Sequence, residues 1–281
     1  MRNKMPYAVL GGGLALIAGS ALWLVLTGAT DIRYSADHAG TVPMWHRWIP
    51  VLAGLALVRL VPPRAELAGG VTGGRGLRLQ AGLLLGSALA FAVALRWSGG
   101  GEPAHTALKL ALLLAVPAAV FWWSRRDPVT HVREPLRAWR RYGPAAPVAA
   151  WLLLSYASPL ALPPSDFAAT VDPVTLVITV VVVFAVNSLL EEVFYRRWLQ
   201  TRWEHLLGPW PAIVLSSLLW AAWHVGIQGA GDLPGDLAAT FVNQGVQGLF
   251  LGYLWSRYRL MWPLLTVHGA VNAAPVLLGL W

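Results

Sequence analysis

Six polar side chains carry the chemistry this sequence can offer. Glu191 and Glu192 close an apolar run, Val174–Leu190, that holds no charge and a single amide, Asn187; Arg196 follows four residues after Glu192. A carboxylate at the centre of a membrane helix costs about 2.5–3.5 kcal/mol on insertion scales, so two in succession point to use unless the helix has already reached the headgroups. Glu192 and Arg196, at i and i+4, share a helix face and can pair. Glu191 points about 100° away and is left for other work. His224 stands near the end of another apolar segment. Alone it reads as a hydrogen-bonded packing residue; beside Glu191 it makes a pair able to activate water, with either group taking the proton. His268 and Asn272 are again i and i+4, about 6 Å apart along a helix. Two hydrogen-bond donors aimed at one spot would stabilise an oxyanion developing on a carbonyl. The plainer reading of that pair is polar contact between helices, with Gly269 and Ala270 allowing close approach.

A metal is the competing chemistry. Glu191, His224 and His268 have the composition of a His₂-Glu zinc set, but no His-Glu-x-x-His is present to support it. Asn272 beside His268 suits oxyanion binding better than zinc ligation, which favours a metal-free site. The chain has no cysteine, so no disulfide, thiolate nucleophile or cysteine metal site exists.

The elements that must position these groups are membrane helices. Of 281 residues, 57% are hydrophobic and 12% charged, against about 25% charged in an ordinary soluble domain. Nine segments read as spans: Pro6–Thr27, Trp45–Val61, Leu79–Leu95, Ala107–Trp123, Pro144–Leu162, Val174 to about Gln200, Pro211–Val225, Leu237–Trp255 and Met261–Leu280. The expected fold is all-α: a polytopic transmembrane helical bundle of about 8–9 membrane helices. Lys and Arg in successive flanks number 2, 1, 4, 2, 6, 0, 3, 0, 2 and 0, with Arg47 inside the second span. Rich flanks alternate with poor ones, which places the N-terminus in the cytoplasm and the C-terminus outside. The net charge of +8 thus sets topology and is not a nucleic-acid patch. Asp31–Pro43 reads as an external loop; Pro62–Arg78 and the arginine-rich Arg125–Arg141 read as cytoplasmic loops near anionic headgroups. Lys109 is expected to snorkel to the interface, and Arg257 and Arg259 to act as topology charges. Trp45, Trp48, Trp122, Trp123, Trp198, Trp203, Trp255 and Trp262 are expected in interfacial belts. None of the first 160 residues offers a chemical constellation. Gly208-Pro209 marks a turn with Glu191 some 16 residues before it and His224 some 16 after. In an antiparallel pair of unbroken helices the two reach the same depth.

On these residues the sequence resembles the CPBP intramembrane proteases, a family that includes type II CaaX prenyl endopeptidases and bacteriocin-processing or self-immunity homologues. The family pattern is Glu-Glu-x-x-x-Arg, then Phe-x-x-x-His, then His-x-x-x-Asn or Asp. Here Glu191-Glu192 with Arg196, Trp220 with His224, and His268 with Asn272 stand in that order, Trp220 replacing the usual Phe. The resemblance covers about the last 110 residues. It implies a catalytic core of about four transmembrane helices over 166–281, after non-diagnostic transmembrane helices over 1–165. The implied activity is a glutamate-type intramembrane endopeptidase acting on a membrane-anchored or lipidated protein or peptide. CaaX-type C-terminal trimming, leader removal and sorting-tail removal all remain open. By the resemblance, Glu191 and His224 would activate the water, His268 and Asn272 would hold the oxyanion, and Glu192 and Arg196 would orient the site. A polar cavity between helices six to nine is then required. No cofactor is expected, zinc on Glu191, His224 and His268 being the alternative. The expected partners are the substrate and the lipid bilayer, with no nucleic acid, and the expected location is a bacterial inner membrane. A non-enzymatic immunity or binding protein is the rival class, ahead of a solute transporter, for which no internal repeat speaks.

Overall fold

The computed structural model describes residues 4–35, 40–61, 75–124 and 141–280. The segment 62–74, the arginine-rich segment 125–140, the N-terminal 1–3, the loop tip 36–39 and residue 281 lie outside the described residues. In chain order the elements are α1 (Met5–Leu26), β1 (Asp31–Arg33), β2 (Thr41–Pro43), α2 (Met44–Leu60) and α3 (Arg75–Trp97). Then come α4 (Ala104–Trp123), α5 (Ala145–Tyr156), α6 (Phe167–Thr170) and α7 (Pro173–Leu207). The chain ends with α8 (Pro209–Ala222), α9 (Val225–Gln228), α10 (residues 233–258) and α11 (Met261–Leu278).

A helix closes every backbone hydrogen bond within its own segment, which is the condition for crossing lipid. Among the described residues six helices are long and apolar enough to do so: α1, α3, α4, α7, α8 continued into α9, and α11. The other three expected spans also form helices. Of these, α2 has 17 residues and α5 has 12, and α10 is too polar to join the six. The protein is a polytopic helical bundle.

Strand pairing enters where a polar loop was expected. Ile32 pairs with Val42 in a two-stranded antiparallel sheet. Ile32 is buried against Leu24 and Met44, and Val42 against Tyr34 and Leu162. The two β-branched side chains give the hairpin an apolar face to bury, which outweighs the polar composition around them.

The longest element is α7, 35 residues without interruption. Asp172 caps its N-terminus, accepting hydrogen bonds from the amides of Val174 (3.0 Å) and Thr175 (3.1 Å). Gly208 ends it at φ 85°, a backbone that favours glycine, and Pro209 opens α8 at a position where its missing N–H costs nothing. The helix is not uniformly α. π-helical turns over Phe184–Leu189 and Val193–Gln200 flank Leu190–Glu192, so the constant rise assumed for the depth match does not hold. Three of the four π-helical stretches among the described residues (109–115, 184–189 and 241–245) contribute a polar side chain to the cavity described below. Such turns recur at functional sites because they re-aim side chains inside a helix.

At the centre of the bundle α8 packs between α1 and α10. A Cβ on Gly13 would run into Val214, one on Gly54 would stand 2.6 Å from the Phe250 ring, and one on Gly248 2.8 Å from the Ser217 Cβ. These approaches realise the small-residue packing that the α10 glycines imply. Gly248→Leu should therefore force α8 and α10 apart and cost about 1–3 kcal/mol or more, as overpacked cores do. A thermal melt in detergent would read this, with Gly11→Ala, which faces open space, expected to melt like the wild type.

Several tryptophans pack inward rather than forming belts. Trp255 donates to Thr201 Oγ1 (2.9 Å), Trp203 to the Ala81 carbonyl (3.2 Å) and Trp48 to the Val242 carbonyl (2.8 Å), whereas Trp122 and Trp123 remain exposed. Each indole N–H has found an internal acceptor, which removes its reason to seek the interface. Arg259 likewise does more than set topology: it is ion-paired with buried Glu204, whose other oxygen accepts from Gln200 (2.7 Å).

Candidate active site

The π-turns of α7 aim Glu191 and Glu192 into the bundle, where both are 0–1% exposed, as is Arg196. None of the three faces the outside of the bundle. Glu191 is fully partnered. Its Oε1 accepts a 2.5 Å hydrogen bond from the Lys109 ammonium, and its Oε2 accepts one of 2.6 Å from the Trp220 indole. Lys109 does not snorkel: it is 0% exposed, donates also to Asn187 Oδ1 (2.6 Å), and stands 4.7 Å from the centre of the Trp223 ring. The single amide of the apolar run thus holds the cation that neutralises Glu191. A lysine on an apolar stem would reach water if it had no buried anion to meet; here the anion lies on the neighbouring helix.

Trp220 is the hub of the site, and the substitution of indole for a phenyl ring supplies a donor that phenylalanine lacks. Its carbonyl accepts from His224 Nδ1 (2.9 Å). A carbonyl can only accept, so Nδ1 carries the proton and the neutral imidazole offers Nε2 as an acceptor. The ring of His224 is stacked on Trp223 at 3.8 Å and stands edge-on to Trp220 at 5.1 Å, which fixes the direction of Nε2. No hydrogen bond joins Glu191 to His224 directly; Trp220 bridges them through its indole and its carbonyl.

The second carboxylate serves the other histidine. His268 Nδ1 donates to Glu192 Oε1 at 2.8 Å, while its Nε2 stands 3.9 Å from Glu191 Oε2. Arg196 Nε lies 3.4 Å from Glu192 Oε2, an ionic contact on one helix face. With Lys109 and Arg196 against Glu191 and Glu192, the four formal charges sum to zero. A buried set of this kind is tolerable only if it is neutral overall and mutually bonded. Asn272 Nδ2 donates to Ser188 Oγ at 2.9 Å, so its amide is oriented from α7, one turn beyond His268.

Glu191, His224, His268 and Asn272 all line one cavity of about 400 Å³. Glu192 and Arg196 stand behind its wall. The cavity is broader than the four C-terminal helices: His105 and Lys109 of α4, Arg47 of α2, and Tyr34 and Ser35 after β1 complete it. The chemistry of the first 160 residues is therefore not empty, since Lys109 bonds the central carboxylate. The end of the cavity near exposed Glu102 is bounded by connections between helices, at Tyr34–Ser35, Gly100 and Ile227–Gln228. The opposite ends of α2, α4 and α8, at Leu60, Trp123 and Pro209, lie 13, 14 and 15 residues from Arg47, Lys109 and His224. That is about 20 Å of helix away, and segments 62–74 and 125–140 follow the first two of those ends.

Among the described residues no three His, Asp or Glu side chains are gathered as ligands. The Lys109 ammonium bonded to Glu191 would oppose a cation placed beside that carboxylate.

Residues 173–274 match the family described as type II CAAX prenyl endopeptidase, Rce1-like. No curated protein and no solved structure matches the chain.

Proposed function

Because residues 173–274 belong to the Rce1-like type II CAAX prenyl endopeptidase family, we propose that this multi-pass membrane protein hydrolyses a peptide bond of a membrane-anchored or lipidated substrate. The groups proposed to react are carried by residues 166–281, with Lys109 contributed from the preceding helices, and bacterial cytoplasmic membrane is the proposed location. At family level the activity is that of a CAAX-type intramembrane endopeptidase; the substrate and the mechanism are our reading. The observation that carries it is the convergence of Glu191, His224, His268 and Asn272 on a single buried cavity.

In this mechanism a water in the cavity attacks the scissile carbonyl carbon. His224 Nε2 takes its proton, since Nδ1 is committed to the Trp220 carbonyl. Glu191, with Lys109 on one oxygen and Trp220 on the other, keeps spare lone pairs to orient the water and its charge to stabilise the imidazolium that forms. The oxyanion takes a hydrogen bond from the second N–H of Asn272, and His268, oriented by Glu192 through Nδ1, stands beside it as the second polar group. Collapse breaks the C–N bond, and His224 returns the proton to the departing amine. Water thus ends as the hydroxyl of the new carboxyl group and the hydrogen of the new amine. No step uses a metal, in keeping with the Lys109–Glu191 pairing.

The test compares membrane-proteome termini in cells carrying the wild type or Glu191→Ala at equal level. Termini that appear only with the wild type are expected, and they persist when a chelator is added to purified protein. Identical termini in the two strains would leave the non-enzymatic binding reading in front. Loss of activity on chelation, restored by zinc, would overturn the metal-free mechanism.

A further inference from the structure

Outside the matched segment, α2 brings a positive charge into the same cavity that the proposed mechanism leaves unused. Arg47 is 6% exposed and lines the cavity. Its Nε donates to Asn243 Oδ1 at 3.0 Å. Asn243 is locked in that orientation because its Nδ2 donates to the Arg33 carbonyl at 3.1 Å. Every ion pair formed by a buried base among the described residues goes to Glu191, Glu192, Glu204 or Glu102, and none involves Arg47. With Nε on a neutral amide, the terminal guanidinium nitrogens remain as the donors for a guest. Beside it, Gln247 of α10 is 2% exposed, lines the cavity, and has an amide nitrogen with no hydrogen-bond partner.

A buried guanidinium without a counter-ion is costly, and a planar fork of N–H donors matches a carboxylate, which can accept two parallel bonds. We propose that Arg47, with Gln247, binds the free α-carboxylate at the C-terminus of the peptide being cut. The inference rests on the proteolytic reading of the neighbouring cluster and narrows it. A chain whose carboxylate reaches Arg47 ends inside the cavity. The cavity, about 400 Å³, sits near the small end of the ~300–1,000 Å³ range of ligand pockets, so only a short C-terminal piece fits between Arg47 and the scissile bond. The enzyme is then a C-terminal trimmer, and bonds far from a chain end are poor substrates because an internal segment brings no charge to neutralise Arg47.

The experiment measures binding of an apolar tripeptide, acetyl-Val-Ile-Leu, as free acid and as C-terminal amide, to the full-length protein in phosphatidylcholine nanodiscs. Binding needs no turnover, so this readout stands even if no cleavage is ever seen. The wild type should bind the acid about 10- to 100-fold tighter than the amide, the range expected for hydrogen bonds to a charged group. Arg47→Gln should weaken the acid to the level of the amide and leave the amide unchanged. Arg47→Lys keeps a charge but not the fork, and should fall between them; it also serves as a comparator should Arg47→Gln fail to fold. Equal binding of acid and amide by the wild type, or a preference that survives Arg47→Gln, would overturn the proposal. So would a preference abolished in phosphatidylglycerol nanodiscs, since the net-anionic headgroup, which phosphatidylcholine lacks, would then be the occupant. An acid preference that depends on Arg47, in a protein that generates no new termini in cells, would sink the proteolytic reading and keep the carboxylate site.

Discussion

His224→Gln is expected to lower turnover by about 10²–10⁴-fold, the usual contribution of a positioned general base, while melting close to the wild type. Glutamine can still donate to the Trp220 carbonyl that now accepts from Nδ1, and it fills most of the space beside Trp223. What it lacks is a nitrogen able to take and return a proton near neutral pH. The distribution of labour between His224 and Glu191 is open to the same assay. If His224 is the proton acceptor, Glu191→Gln retains some turnover, because the amide oxygen still accepts from Lys109 and Trp220 and still orients water. The rising limb of the pH–rate profile should then persist in Glu191→Gln and vanish in His224→Gln. A limb lost in Glu191→Gln and kept in His224→Gln would exchange the two roles.

Lys109→Met should be the most destabilising single change in the bundle. Removing one partner of a buried ion pair strands the other, at a typical cost of about 3–5 kcal/mol, and here the stranded group is the Glu191 carboxylate, buried as completely as the lysine. The methionine fits the apolar stem but satisfies neither Glu191 Oε1 nor Asn187 Oδ1. Combining Lys109→Met with Glu191→Gln replaces the pair by two neutral side chains, so most of the lost stability should return even though activity does not. Reversible unfolding in mixed detergent for the four proteins of this cycle yields the coupling. A double variant no more stable than Lys109→Met alone would mean that the lysine acts through packing rather than charge.

Much of this arrangement was legible before any coordinates, for a definite reason. Charges and imidazoles are rare in apolar helices, so each of Glu191, Glu192, Arg196, His224 and His268 stood out, and i, i+4 spacing was enough to anticipate the Glu192–Arg196 contact. Pairing between helices was not legible in the same way. Glu191 and His224 were matched by depth along uniform helices, but π-turns and the Trp220 indole intervene, and His268 meets Glu192 rather than acting only beside Asn272. Lys109 was read as an interfacial lysine because its own helix gives it no anion. Charge balance held the missing signal: two buried glutamates and one arginine leave a negative charge over, and Lys109 is the nearest intramembrane base able to cancel it. Arg47 was hidden by the weakness of its span, whose proline and flanking arginines spoke for an interfacial segment. The strand pairing at Ile32 and Val42 depends on a burial face formed by Leu24, Met44 and Leu162, which no local window contains.

The position of the Glu102 end of the cavity bears on the order of events in the cell. Tyr34–Ser35, Gly100–Glu102 and Ile227–Gln228 lie in connections at the end of the bundle remote from Leu60 and Trp123, the helix ends that precede segments 62–74 and 125–140. If the positive-inside bias sets the topology, the Glu102 end of the cavity faces away from the cytoplasm, and a client would reach it only after secretion. On the proteolytic reading proposed above, translocation would come first and trimming second, and a cytosolic protein would be spared whatever the sequence of its last residues.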